Sequence, residues 1–154
     1  MPTQLIPQQF AEIARLSDVV RADDIQAVTA NSNPEMGKQV LAHFNRECLV
    51  GTPRQDLYAH LEALSDESFK ELMGWVLFGR DYTPRDGDPT EVLGRYIRDA
   101  EIYPRHGQET YLEWKPIGQY LRDASKHLLT TTSKDIKRAQ DDNYEAEEDE
   151  EFDR

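Results

Sequence analysis

The chain has 154 residues, a net charge of −12, a hydrophobic share of 38% and a single cysteine, Cys48. That length suits one domain with a core that needs no metal or disulfide staple, and one cysteine excludes an intrachain disulfide. Nine acids and one base between Asp141 and Arg154 carry −8 of the charge, leaving a body at only −4. A broad basic surface for nucleic acid is therefore disfavoured.

No apolar run approaches the eighteen or so residues of a membrane span. The opening MPTQLIPQQF has neither a basic start nor a long apolar stretch, unlike a secretion signal. The expected setting is cytoplasmic.

In chain order, Pro7 opens a first helix with Ile6, Phe10, Ile13, Leu16 and Val20 on one face. Arg21 to Asp24 reads as a polar break, with a short turn or helix after it that points Ile25 and Val28 inward. Asn33-Pro34 starts a helix through Met36, Val40, Leu41 and Phe44 to Cys48. Thr52-Pro53-Arg54-Gln55 is a capping box, and Leu57, Leu61 and Leu64 line the helix that follows.

The most apolar stretch is Leu64 to Tyr82. Ser65 caps it, Leu64 and Phe69 have staple spacing, and Phe69, Leu72, Met73 and Val76 form a stripe that Trp75, Leu77 and Phe78 widen nearly all round. Gly79 reads as its stop, giving a central helix over 66–78. A turn-rich loop leads to the box Asp88-Pro89-Thr90-Glu91 and a helix with Val92, Leu93, Tyr96, Ile97 and Ala100. After the break at 103–107, a short piece with Tyr111, Leu112 and Trp114 precedes Pro116. The stripe Ile117, Tyr120, Leu121, Ala124, Leu128 then marks the last long helix.

No stretch alternates like a strand. The expectation is an all-α bundle of about six helices in a domain over 1–129. A linker with a brief basic turn spans 130–140, and a disordered acidic tail spans 141–154.

The chemistry is sparse. His43, His60, His106 and His127 show no zinc spacing, and Cys48 shows no base partner. Asp86-Gly87-Asp88 lacks the other ligands of a calcium loop, with Pro84 and Arg85 where ligands belong. There is no P-loop, GxSxG or GxGxxG. No metal or cofactor is expected, and no catalytic residue is assigned.

Two binding candidates stand out. Arg80 and Asp81 leave the most buried helix, although an arginine there is also the ordinary partner of the last carbonyls. Glu147, Glu148, Asp149, Glu150 and Glu151 form a tail suited to a protein partner with a basic surface.

Several pieces in order resemble one bacterial family, the domain of unknown function numbered three-seven-seven-five. They are Asp23-Asp24, Asn31-Ser-Asn33, Val40-Leu41, Asp56-Leu57 with Leu61 and Leu64, and Glu71-Leu72-Met73 with Trp75, Leu77 and Gly79-Arg80. Tyr111-Leu112, Pro116-Ile117-Gly118 and Tyr120-Leu121 complete the set. They lie between about Leu5 and Leu129. The family typically has a second glycine after the arginine, where Asp81 stands here. The resemblance implies a compact helical bacterial or phage-borne domain and brings no catalytic residue.

The functional expectation is a small non-enzymatic interaction or regulatory protein. One alternative is a phage-type inhibitor on the basic surface of a nucleic-acid-binding host complex. Another is an enzyme with a pocket near Arg80.

Overall fold

The computed structural model describes residues 6–30, 51–103 and 105–152, with side chains described outside 26–30 and 143–152. Among them are seven α-helices and no strand. These are α1 (Ala11–Ala30), α2 (Pro53–Ala63), α3 (Asp66–Asp81), α4 (Pro89–Asp99), α5 (Gln108–Glu113), α6 (Ile117–Thr130) and α7 (Ser133–Phe152). The fold is all-α, as the 3.6-residue periodicity implies. The helix expected from Pro34 to Cys48 lies outside the described residues.

The contacts group into two compact units. The first comprises Pro7–Phe69 and Tyr103–Gln119. Here α1 packs on α2, and α2 on α5. Phe10, Ile13, Leu16 and Val20 are buried as their spacing predicts, together with Leu57, Leu61, Phe69, Leu112 and Ile117. Thr52 caps α2 by accepting from the Gln55 N–H at 3.3 Å, and Ser65 accepts from the Ser68 N–H at 3.1 Å.

Two expectations fail in α1. The helix runs unbroken through Arg21–Asp24, and Ile25 is 58% exposed rather than inward. Arg21, Ala22 and Asp23 are exposed; a polar run on a helix's solvent side needs no break.

The second unit comprises Met1–Ile6, Lys70–Ile102 and Tyr120–Arg154. Leu72 to Gly79 are all buried. Gly79 does not end α3, which continues to Asp81. A Cβ on Gly79 would lie 1.9 Å from the Tyr120 carbonyl oxygen of α6, and one on Gly74 would lie 2.6 Å from the Ile97 Cα of α4. Both glycines are there for close helix approach rather than for a turn.

Beyond α3, Thr83 and Asp86 close a reciprocal cap around a 3-10 turn, Pro84–Asp86, and Asp88 caps α4. Within the stretch 130–140, Thr130 ends α6 and α7 begins at Ser133. The Thr132 N–H donates to Asp135 Oδ2 at 2.9 Å, and the Asp135 N–H donates to Thr132 Oγ1 at 3.2 Å. This capping box carries aspartate in place of the usual glutamate or glutamine. Helix α7 spans Ser133–Phe152.

Candidate functional site

The first sequence candidate, Arg80–Asp81, sits in the last turn of α3. Arg80 Nε and one terminal nitrogen donate to the two carboxylate oxygens of Asp81, each at 2.8 Å. That bidentate bond holds the Asp81 carboxyl below the usual carboxylate range, with partial burial opposing it. Both side chains are about two-fifths exposed. The cation is thus already matched by its neighbour.

Two shallow depressions open on the second unit, and neither includes Arg80 or Asp81. One is lined by Glu91, Gly94, Arg95 and Arg98 of α4, the other by Lys134, Lys137, Arg138, Asp141 and Asp142 of α7. Among the described residues no three His, Cys, Asp or Glu side chains are grouped to hold a metal. His43 and Cys48 lie outside those residues.

Helix α7 carries the second candidate. Its first half rests on the 3-10 turn Pro84–Asp86. Ile136 and Ala139 are half-buried, and Gln140 Nε2 donates to the Arg85 carbonyl at 3.5 Å. Backbone and hydroxyl hydrogen bonds from Thr132 hold the Asp135 carboxyl below its ordinary range. Lys134, Lys137 and Arg138 are exposed. Glu147, Glu148, Asp149, Glu150 and Glu151 follow on the same helix; their side chains lie outside the described part.

An aromatic group lies behind the Arg80 turn. The Tyr82 ring lies 4.8 Å from that of Phe78 and 5.0 Å from that of His127, tilted by 35° and 59°, and its hydroxyl donates to the Gly87 carbonyl at 2.7 Å. Burial pushes the Tyr82 phenol up and the His127 imidazole down.

Sequence reasoning missed Arg54, which it read only as part of a cap. In the first unit this arginine is 3% exposed. It donates to Asp24 Oδ2 at 2.5 Å and to the Glu113 carbonyl at 3.4 Å, lies 3.9 Å from the fully buried Glu113 carboxylate, and stacks 4.0 Å from the Trp114 ring. A buried arginine needs partners of this kind. Arg105 is similar. It binds Asp66, Glu109 and the carbonyls of Leu61 and Glu62, over the Phe69 ring. It thereby ties the end of α2 to the start of α3 and to α5. The local sequence does not signal the Arg54 role, because Glu113 is 59 residues away.

No family model, curated protein or solved structure matches the chain. No helix among the described residues is long and apolar enough to cross a membrane.

Proposed function

We propose that the protein is a non-enzymatic interaction protein of the cytoplasm. It docks through the acidic half of α7 on a cationic protein surface. The observation that carries this reading is the charge order of one continuous helix. The first half of α7 is capped by Thr132–Asp135 and seated on the 3-10 turn, and an acid run follows directly on it. A run of carboxylates in one stretch of chain concentrates negative charge, which speeds and orients encounter with positive charge.

The Arg80–Asp81 pair supports an intramolecular role, since its charges satisfy each other. Membership of the three-seven-seven-five family is proposed on the sequence pieces alone.

The test is capture of partners from cell extract by the full chain and by a chain lacking residues 141–154. Loss of capture on deletion, with binding that weakens as salt rises, is the expected result. Equal capture by both chains would remove α7 from the function.

A further inference from the structure

Among the described residues, six of seven glycines have an evident reason to be glycine. Gly51, Gly87 and Gly107 take positive φ. Gly74, Gly79 and Gly118 lie where a Cβ would strike another helix: Ile97 of α4, Tyr120 of α6, and Ala14 with Asp18 of α1. Gly94 has neither reason. It stands in the interior of α4, and a Cβ there would meet no described atom within 4 Å. A glycine inside a helix destabilises it relative to alanine. Every other helical glycine described in this molecule marks a place where a second helix crosses closely.

Gly94 lies in the depression on α4, with Glu91, Arg95 and Arg98 around it, all three exposed. At about 100° per residue, Glu91 and Arg98 point within about 20° of each other. Gly94 lies about 50° to one side of their midline and Arg95 about 50° to the other, while the buried Val92 and Leu93 turn away.

This face is complementary to itself. Its midpoint falls between Gly94 and Arg95, with Glu91 and Arg98 equally far on either side. A second copy laid antiparallel on a two-fold axis through that midpoint sets Glu91 of each chain against Arg98 of the other. The two Gly94 residues meet on one flank of the axis, which lets the helices approach to about 8 Å. The two Arg95 side chains fall on the other flank, each donating to its own Asp86 carbonyl at 3.3 Å. A parallel copy would set Glu91 against Glu91.

We propose that the outward face of α4 is a two-fold self-association surface, closed by reciprocal Glu91–Arg98 ion pairs over a Gly94–Gly94 contact. It goes beyond the docking reading and does not involve α7. One helix face buries less than the roughly 1,200 Å² of a stable interface, so the pair is weak and salt-sensitive.

Disulfide trapping of the full chain tests it, with Cys48→Ser as background and oxidised glutathione as oxidant. In the antiparallel pair the two Gly94 Cα atoms come within the roughly 4.4–6.8 Å that a disulfide spans. Gly94→Cys is expected to give covalent dimer at least about tenfold faster than Thr90→Cys, which is exposed on the same helix but points about 90° off the face. Adding Arg98→Glu removes that advantage, and adding Glu91→Arg as well restores it. Raising salt to about 500 mM slows trapping. Sedimentation of the chain without introduced cysteine gives a second readout: a concentration-dependent dimer that Arg98→Glu abolishes and Glu91→Arg with Arg98→Glu recovers. Far-UV circular dichroism of each variant checks that the helical body is retained.

Trapping at Gly94→Cys no faster than at Thr90→Cys, or a chain that stays monomeric at low salt and high concentration, overturns the surface. Trapping or dimerisation that survives Arg98→Glu, or that the double charge reversal fails to restore, overturns the Glu91–Arg98 pairing that defines it.

Discussion

Two places in the molecule, one in each unit, use arginine and lysine in opposite ways. In the first, Arg54 and Arg105 are drawn inward, and their donors are met by carboxylates, carbonyls and ring faces. In the second, Lys134, Lys137 and Arg138 of α7 stand exposed to solvent. Buried cations hold a fold and are costly to disturb. Exposed ones contribute little to the fold.

The sharpest way to break this contrast is at Arg54. Arg54→Met removes the cation beside Asp24 and the buried Glu113, and is expected to lower stability by about 3 kcal/mol in urea unfolding. Adding Glu113→Leu should return a good part of that loss, because the variant then buries no lone carboxylate. Additive losses would mean that the two groups do not act as a pair.

Next comes Gly79→Ala. Alanine favours a helix over glycine by about 1 kcal/mol, but here its methyl would collide with the Tyr120 carbonyl. A net loss of about 2 kcal/mol in thermal or urea unfolding is expected. A stabilised variant would show that α3 and α6 separate easily.

On the surface the effects shrink. Thr132→Ala removes one side of the capping box and should cost α7 about 1 kcal/mol. The readout is faster amide exchange over the first turns of α7, with the core of α3 unchanged.

The smallest effect is a pH dependence at His127. Burial lowers its pKa below the ordinary 6.5, with Lys126 adding to the shift and Asp123 opposing it. The unfolded chain therefore takes up the proton first as pH falls. Stability is full above about 6.5, declines below it, and levels off once the folded state is protonated too. His127→Gln should flatten that segment of the stability profile. An unchanged slope would place the titration elsewhere.

Periodicity and caps made most of the helices legible. Thr52, Ser65 and Asp88 cap where their spacing indicates. The misreadings have particular causes. A polar run at Arg21–Asp24 looks like a break when only its solvent side is seen. Gly79 looks like a stop because the close approach of α6 leaves no local trace. Thr132–Asp135 escaped notice because the box carries aspartate. Arg54 was out of reach altogether, since nothing near Thr52 signals that Glu113 and Trp114 will fold against it.

Each unit also contains one of the chain's two tryptophans. Trp75 is 7% exposed in the second unit, and Trp114 is 40% exposed in the first, against Arg54. The molecule thus has a built-in pair of optical reporters that a soluble quencher can tell apart. Replacing either with phenylalanine leaves a single emitter for one unit. Two such chains, followed through the same denaturant series, would show by coincident or separate midpoints whether the two clusters of helices melt as one cooperative body or as two.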